Sequence, residues 1–389
     1  MTAWLIDAAY LLVLFARARL AHRAADKEAR QAARAGPSAR GTIAYADVAV
    51  LQPILAGDPA LPEVLAEALD ALPKAAHVMW LVDEDDPRAV AITTSLMDAR
   101  SERRITRLLC PPPTPGTNPK TVKLAAGVMA CDEPVLVVLD DDARLGSDAL
   151  DTLLGALDHG ALATALPWYD DSPSLPGALL AHFVNDHAAL TYLAPLALLP
   201  PVSINGMAYA LRRETLDTIG GFGPLAAHLT DDLALALSLR AHALPIVQTS
   251  APVRMRTSLA DQGSYVRLMH RWYLFATLLL AAHGPRVRVL AALLQGLPPL
   301  LLWGALGATS FAASPAAFAG LAATLVLRQR VLGGLHRRFV PGALRHRPFL
   351  SALVELLQPL HLLHALLVRD IHWRTRRYRV RAVDDFGVR

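Results

Sequence analysis

The sequence Pro134-Val135-Leu136-Val137-Val138-Leu139-Asp140-Asp141-Asp142-Ala143-Arg144 joins an apolar run to three consecutive carboxylates. An apolar run of this length, bounded by Pro134, predicts a strand buried on both faces, as in a parallel sheet. Ligands of open α/β sheets bind beyond the carboxyl ends of the strands, so the three aspartates are expected to face a binding crevice. Asp is also a common helix cap between a strand and a helix, and the stretch alone leaves both interpretations open.

The charge of the aspartate triplet favours a cation site. Carboxylates this close repel one another and raise one another's pKa unless a cation neutralises them. Mg²⁺ and Mn²⁺ prefer hard oxygen ligands, and substrate phosphates often complete their coordination. The triplet therefore fits a site for Mg²⁺ or Mn²⁺.

Composition indicates a membrane protein with a soluble domain. Of 389 residues, 53% are hydrophobic and only 19% are charged, and the mean hydropathy is +0.33. The apolar excess gathers at the N-terminus and after about residue 272. The net charge is a modest +4, and its basic clusters lie beside apolar segments, which favours anionic lipid over nucleic acid as a partner. The two cysteines, Cys110 and Cys131, form neither a disulfide framework nor a metal quartet and are predicted to be buried thiols.

The N-terminal residues 1–20 are predicted to form a membrane anchor. Their apolar run is interrupted by Asp7 and followed at once by arginines, which places the basic end in the cytoplasm. The run is short for a span, so a tilted or interfacial helix is an alternative. Residues 21–45 are polar, contain Gly36-Pro37-Ser38, and are predicted to be a linker.

Residues 273–371 are predicted to be membrane-embedded and interfacial helices. The stretch 289–311 is long enough to span, with a kink expected at Pro298-Pro299. Residues 314–328 could return across the membrane, and 348–367 are predicted to be re-entrant or interfacial. Residues 372–389 would form a basic cytoplasmic tail.

Residues 46–272 alternate strands and helices. Their pattern predicts an α/β fold in which helices cover both faces of a parallel sheet. Asn118 and Pro119 are a strong start signal for one helix, whose N-terminus could help to bind phosphate. The predicted strands are 47–51, 76–82, 104–109 and 134–139, and the predicted helices are 61–72, 88–98, 119–131 and 147–157.

Four charged sites stand out along this region. Each has a structural explanation when taken singly, because Asp before a helix is usually a cap and a basic-aromatic pair at a membrane edge is usually an anchor. The histidines His182, His187, His228 and His270 have no metal-ligand spacing with a convincing partner and are interpreted as structural. The four sites are Asp83 to Pro87, Asp140 to Asp142, Leu229 to Leu233, and Arg267 to Trp272.

The order and spacing of these sites resemble glycosyltransferases of family 2, and most closely family 21, the ceramide glucosyltransferase-like enzymes. The family pattern has three separated aspartate sites and a terminal (Gln/Arg)-x-x-Arg-Trp, flanked by an N-terminal anchor and C-terminal membrane helices. This chain departs from the pattern at Leu268, where Gln or Arg is expected, and the nearest arginine is Arg267. Further similar stretches are Leu51 to Ile54, Gly57 to Pro59, Asn118 to Lys120, Asn205 to Met207, Gly220 to Phe222, and Trp373 to Tyr378.

The resemblance implies a GT-A-like, Rossmann-type nucleotide-diphospho-sugar transferase domain between membrane helices. The implied activity is metal-dependent, inverting transfer of a sugar from a UDP-sugar to a hydroxyl of a ceramide-like lipid. Alternatives are a hopanoid or other lipid acceptor, a polysaccharide synthase, and an inactive membrane scaffold. The implied location is multi-pass in the cytoplasmic membrane of a bacterium, with the catalytic domain in the cytoplasm and no nucleic-acid partner.

The resemblance also assigns roles to individual residues. Asp140 and Asp142 would hold the metal ion, Asp232 would be the general base with Asp231 as second candidate, Arg271 would pair with the pyrophosphate, and Trp272 would stack near the acceptor or anchor the interface. Asp83 would accept from the uracil edge. The other residues expected on the donor side are Pro53, Asp85, Lys120, Asp140, Asp141 and Arg267.

Overall fold

The computed structural model describes residues 1–35, 43–112, 114, 116–340, 342, 345–373, 376–380 and 386–388. These residues form two compact units. The helical unit comprises Met1–Lys27, Trp168–Pro200 and Leu259–Ile371, and the sheet unit comprises Glu28–Pro167, Pro201–Ser258 and the described residues from His372 onward.

The sheet unit is built on an eight-stranded sheet with the order β3-β2-β1-β4-β7-β6-β8-β5. The strands β1 to β4 run parallel to one another. By contrast, β7 is antiparallel to β4, β6 is antiparallel to β7, and β5 is antiparallel to β8. The strands are β1 Val48–Ile54, β2 His77–Asp83, β3 Ile105–Cys110, β4 Val135–Leu139, β5 Ala143–Arg144, β6 Leu162–Tyr169, β7 Ala208–Arg212 and β8 Ile246–Met255.

The α-helices are numbered along the chain through both units. They are α1 Thr2–Ala35, α2 Leu61–Ala71, α3 Pro87–Asp98, α4 Pro119–Met129, α5 Ser147–Ala156, α6 Leu175–Ala188, α7 Arg213–Thr218, α8 Asp231–Ala241, α9 Gln262–Ala281, α10 Pro285–Ala291, α11 Leu297–Ala312, α12 Pro315–Phe339 and α13 Pro348–Leu367.

The central strands are buried on both faces. Every residue of β1, β2 and β4 is buried, as expected for apolar runs in a parallel sheet covered by helices. Helix α4 packs closely on this layer at Gly127, where an added Cβ would lie 2.9 Å from both methyl carbons of Leu81. This close packing fixes the start of α4 relative to the ends of β1, β2 and β4.

The predicted strands and helices of the first half agree with the structure to within a few residues. The prediction of a parallel sheet holds only for β1 to β4. It is wrong for the second half, because β7 is an apolar run like the parallel strands and carries no local signal of its direction. Cys110 and Cys131 are buried free thiols, as predicted.

The helical unit begins with α1, which is helical as far as Ala35. The first part of the predicted linker, residues 21–35, continues this helix, because the Ala-, Arg- and Glu-rich sequence there has high helix propensity. Gly36-Pro37-Ser38 lie outside the described residues.

Two helical stretches, Pro285–Ala312 and Pro348–Leu367, are long and apolar enough to cross a membrane by length and composition. Among the described residues, α1 and α12 do not meet this criterion. A kink was predicted at Pro298-Pro299. In the structure a π-helical segment, Ala292–Gly296, precedes α11, and the two prolines lie in the first turn of that helix. Residues 348–367, expected to be re-entrant or interfacial, form the continuous helix α13, which contains Pro359.

A three-stranded sheet follows α13, in the order β11-β10-β9. Its strands are β9 Asp370–Trp373, β10 Arg376–Val380 and β11 Phe386–Val388. Part of the predicted basic tail, residues 374, 375, 381–385 and 389, lies outside the described residues.

Candidate active site

Lys120, in the first turn of α4, is at the centre of the acidic site of the sheet unit. Its Nζ lies 2.7 Å from Asp140 Oδ1 and 3.1 Å from Asp231 Oδ2, and it donates to the carbonyl of Gly206 at 2.9 Å. The three donors of the ammonium are thus matched by three acceptors from different parts of the chain. Lys120 therefore joins the end of β4, the loop before β7 and the start of α8.

Backbone and side-chain contacts fix the turn that carries the triplet. The backbone N–H of Asp140 donates to Met207 O at 2.9 Å. Asp141 accepts from the backbone N–H of Leu55 at 2.9 Å, and Asp142 accepts from the hydroxyl of Thr257 at 2.6 Å. The triplet is therefore part of the site and does not serve as a helix cap, since α5 begins after Gly146 with no side-chain cap.

Asn118 links α4 to the segment that precedes α8. Its Oδ1 accepts from the N–H groups of Lys120 and Thr121, which caps α4. Its Nδ2 donates to His228 O at 3.3 Å and to Leu229 O at 3.0 Å. The cap occupies the two helix amides that the sequence suggested for phosphate, so Asn118 acts as a structural link between the two sides of the site.

Asp232 lies in the first turn of α8 and packs against Gly206. Its Oδ1 accepts from the N–H of Leu233 at 2.7 Å. A Cβ added to Gly206 would lie 3.1 Å from Asp232 Cβ, so the absence of a side chain at Gly206 makes room for this carboxylate. Asn205 holds the Gly206 turn by accepting from Met207 N and donating to Ala165 O.

The electrostatics of the site favour the binding of a cation. Burial, together with the charges of Asp140 and Asp141, raises the pKa of Asp142 to about 7. Burial and the charge of Asp231 raise the pKa of Asp232 to about 7. The carboxylates beside Lys120 more than offset its burial and raise the pKa of that ammonium, so Lys120 stays charged. The raised pKa values of Asp142 and Asp232 reflect a repulsion between carboxylates that a further cation would reduce.

Asp140 and Asp142 fit a site for Mg²⁺ or Mn²⁺. They offer only carboxylate oxygens, the ligand type that these ions prefer. The raised pKa of Asp142 reflects a repulsion that a divalent cation would relieve. The remaining coordination positions would be left for phosphate oxygens of a substrate.

The residues expected on the donor side occupy different environments. Asp83, at the end of β2, pairs with Lys123 Nζ at 2.8 Å, and Lys123 also donates to Ile54 O at 2.8 Å. Pro53 is buried within β1, whereas Asp85 is exposed. The structure thus places Asp83 in a buried ion pair that sequence reasoning missed, since Lys123 lies forty residues away along the chain.

Arg267, Arg271 and Trp272 belong to α9 of the helical unit. Arg267 is exposed and donates to the hydroxyl of Ser264 at 2.8 Å. The ring of Trp272 lies 6.0 Å from that of Phe183 and 6.5 Å from that of Tyr169, centroid to centroid. Trp272 therefore belongs to an aromatic cluster, and the roles of these three residues in transfer stay predictions.

Sequence reasoning missed several residues that shape the acidic site. Their signals are weak, because a Thr, a Gly or a Gln gains its role only from a partner distant in sequence. Gln52, for example, receives a hydrogen bond from Trp80 Nε1 at 2.9 Å and donates to Asp140 O at 3.1 Å. The missed residues are Gln52, Lys123, Gly206 and Thr257.

Comparison with known proteins identifies the family. The family model described as glycosyl transferase family 21 matches residues 8–385, and the chain therefore belongs to this family. This confirms the resemblance inferred from the aspartate sites and the prediction of a glycosyltransferase. Among curated proteins, no match to the chain was found.

Solved structures of two nucleotide-sugar transferases are similar to this chain. The mannosyltransferase PcManGT from Pyrobaculum calidifontis, in complex with GDP-Man and Mn²⁺, is 15% identical, with 94% of this chain and 98% of that chain covered and a TM-score of 0.51. The glucosyl-3-phosphoglycerate synthase from Mycobacterium tuberculosis, with Mn²⁺ and UDP-glucose, is 16% identical over 57% of this chain and 76% of that chain, with a TM-score of 0.34. The likeness to the first confirms the GT-A-like fold class.

Proposed function

We propose that this member of glycosyl transferase family 21 moves a sugar from a UDP-sugar to a hydroxyl group of a membrane lipid, with inversion at the anomeric carbon. The observation that carries the proposal is the convergence of Asp140, Asp231 and Asp232 around Lys120 at the carboxyl edge of the sheet, with Asp142 close to Asp140. The two apolar helical stretches support an acceptor that stays in the bilayer while its head group reaches the protein.

Asp232 is proposed as the general base. Its carboxylate takes the proton of the acceptor hydroxyl, whose oxygen bonds to the anomeric carbon while the bond from that carbon to the phosphate oxygen breaks. A base with a pKa of about 7 is well matched to this step near neutral pH. The Leu233 N–H at 2.7 Å holds the carboxylate in one orientation.

Asp140 and Asp142 would hold Mg²⁺ or Mn²⁺. When bound, the ion would supply positive charge to the departing diphosphate. Lys120 keeps Asp140 and Asp231 in place through its contacts at 2.7 and 3.1 Å. Arg271 is proposed to add charge at the pyrophosphate and Trp272 to contact the acceptor, while Asp83, Asp85, Asp141, Pro53 and Arg267 are proposed on the donor side.

The proposal is tested by incubating the purified chain with a panel of UDP-sugars and a membrane lipid extract, with Mg²⁺ or Mn²⁺, and reading products by mass spectrometry. We expect a lipid that gains one sugar, and loss of this product in EDTA. A polymeric product would show that the acceptor is a growing polysaccharide and not a lipid. Absence of transfer from every UDP-sugar, in protein that binds UDP and metal, would overturn the donor assignment.

A further inference from the structure

We propose that His182, Asp186, His336 and His346 of the helical unit bind one transition-metal ion, with Zn²⁺ as the ion that this ligand set favours. This histidine cluster belongs to the helical unit, and the inference does not depend on the proposed function. Sequence reasoning interpreted His182 as structural, because His346 lies 164 positions further along the chain.

The ligand atoms converge in space. His182 and Asp186 lie one helical turn apart on α6, and their ligand atoms and that of His346 all lie within 4.8 Å of one another. The distance from His182 Nδ1 to Asp186 Oδ2 is 3.5 Å. His336, near the end of α12, places its Nε2 2.8 Å from Asp186 Oδ1. Two ligands bound to one tetrahedral zinc at its usual bond length are about 3.3 Å apart, so small side-chain adjustments close the site.

The ligand atoms of the cluster are buried, and two of them lack a hydrogen bond. His182, Asp186 and His336 are 2%, 1% and 8% exposed. Asp186 Oδ1 has the ion-pair contact with His336 Nε2, whereas within the described residues no hydrogen bond of good geometry reaches His182 Nδ1 or His346 Nδ1. Leaving a buried polar atom unpaired costs about 1–3 kcal/mol, so these two imidazole nitrogens, close to a buried carboxylate, indicate a missing common partner.

Groups outside the cluster also contact its side chains. Asp186 Oδ2 accepts from the hydroxyl of Ser351 at 2.5 Å, and His346 Nε2 contacts the side-chain oxygen of Gln329. Metal-binding side chains usually have such outer contacts, which fix the ring and carboxylate orientations. His182 Nε2 accepts from the N–H of Arg347 at 3.3 Å, and this long contact would have to lengthen if the ring bound metal through Nδ1.

The chemistry of the side chains also suits a transition-metal ion. Three imidazoles and one carboxylate are ligands typical of Zn²⁺, whereas Mg²⁺ prefers an all-oxygen site.

A bound ion would connect three segments of the helical unit. These are α6, the end of α12 and the residues just before α13. Ser351 extends the connection, since its hydroxyl also accepts from Arg328 at 2.7 Å. The ion would therefore stabilise the packing of these helices.

The test uses the full chain purified in detergent, washed with EDTA, and then exchanged into Mg²⁺. Elemental analysis after Zn²⁺ addition and removal of free metal should give about one zinc per chain, and Zn²⁺ should raise the melting temperature of the washed protein. Co²⁺ in place of Zn²⁺ should give the visible absorption of a tetrahedral site.

The variant His346→Asn removes a half-buried ligand outside the helices and should weaken zinc binding at least about tenfold. The matched control is His283→Asn, a buried histidine of the same unit whose Nδ1 bonds to Leu279 O, and it should bind zinc as the unmodified chain does. Asp142→Asn should also retain zinc, which separates this site from the acidic site. An unchanged melting temperature with Zn²⁺, together with no cobalt spectrum, would show a buried Asp186–His336 ion pair only and overturn the proposal.

Discussion

In the helical unit, the completely buried Arg328 is matched on every side. Its guanidinium donates to Tyr10 Oη at 3.0 Å, to Glu355 Oε2 at 2.8 Å, and to the hydroxyl and carbonyl of Ser351 at 2.7 and 2.9 Å. In the sheet unit, Lys120 is also matched by acceptors, but the pKa values of Asp142 and Asp232 in the same site are raised by burial and by neighbouring carboxylates. The first arrangement balances charge and holds helices together, whereas the second keeps mutually repelling carboxylates at the edge of a sheet.

We interpret the charge of Arg328 as structural and the charges around Lys120 as functional. A buried ion pair with all its hydrogen bonds made resists disruption but has little capacity to bind anything else. Clustered carboxylates with raised pKa values destabilise the protein when no ligand is bound, and a bound cation stabilises it. Such an arrangement is typical of active sites. Substitutions in the acidic site should therefore change transfer, whereas substitutions around Arg328 should change stability.

Asp232→Asn removes the proposed base while keeping the shape of the side chain. We expect transfer to fall by about 10²–10⁴-fold, because the acceptor hydroxyl then has no group to take its proton. Steady-state transfer assays measure the loss, and calorimetry with UDP and Mn²⁺ should show binding unchanged. The control Asp98→Asn removes an exposed carboxylate at the end of α3. Equal activity of the two variants would show that Asp232 is not the general base.

Arg328→Met leaves Glu355 buried without its partner. We expect the free energy of unfolding to fall by about 3–5 kcal/mol, with turnover per folded molecule unchanged. Thermal or denaturant unfolding in detergent measures the first and active-site titration the second. The control is Arg330→Met, an exposed arginine on the same helix. Lost turnover in fully folded Arg328→Met protein would contradict a purely structural role.

The pH profile should report Asp232. A base whose pKa is raised to about 7 is protonated below that pH and inactive, so kcat/KM should fall about tenfold per unit as the pH drops below about 7. Saturating Mn²⁺ keeps the metal site loaded during the measurement. A flat profile between pH 5 and pH 8 would show that no group of this pKa takes the proton.

Asp142→Asn should stabilise the protein when no metal is present. The pKa of Asp142 in the folded protein, about 7, exceeds that of an unfolded aspartate, so the folded state binds the proton more tightly and loses stability as the pH rises towards 7. At pH 8 in EDTA we expect the variant to be at least about 1 kcal/mol more stable than the unmodified chain. Mn²⁺ should raise the melting temperature of the unmodified chain only, and a less stable metal-free variant would contradict the charge-repulsion account.

Gly206→Ala should have the smallest effect. Its Cβ would meet Asp232 Cβ at 3.1 Å, so the carboxylate must shift by a few tenths of an ångström, and we expect activity to fall about three- to tenfold, less than a full 1 Å misplacement would cause. The control Gly155→Ala adds a Cβ that meets nothing within 4 Å. Transfer assays on both variants measure the difference, and unchanged activity in Gly206→Ala would show that Asp232 tolerates the shift.

The sequence predicted those parts of the site that local pattern encodes. The run before Asp140 is apolar for its whole length, and the aspartates follow it directly, so both the strand and its acidic end could be predicted. Asn118 before Pro119 likewise gave the start of α4. The second half of the sheet was missed, because the direction of β7 depends on pairing with β4 and leaves no mark in the sequence of β7 itself.

Long-range partners account for the rest of what was missed. Lys120 was expected to contact the nucleotide, but its ammonium contacts Asp140, Asp231 and Gly206, which only the folded chain brings together. His182 was interpreted as structural because its sequence neighbourhood offers no convincing set of ligands, and its neighbour His346 comes from the segment between α12 and α13. Spacing arguments find ligands that share a local segment and do not find those assembled by packing.

The two-sided amide of Asn118 has a consequence for how this position can vary. An aspartate could still cap α4, but it would present an oxygen to the carbonyls of His228 and Leu229 and push that segment away. A serine could cap the helix but is too short to reach those carbonyls. Amino-acid replacement at this single position would therefore uncouple the start of one helix from the loop that leads into another, even though neither substitution touches a carboxylate.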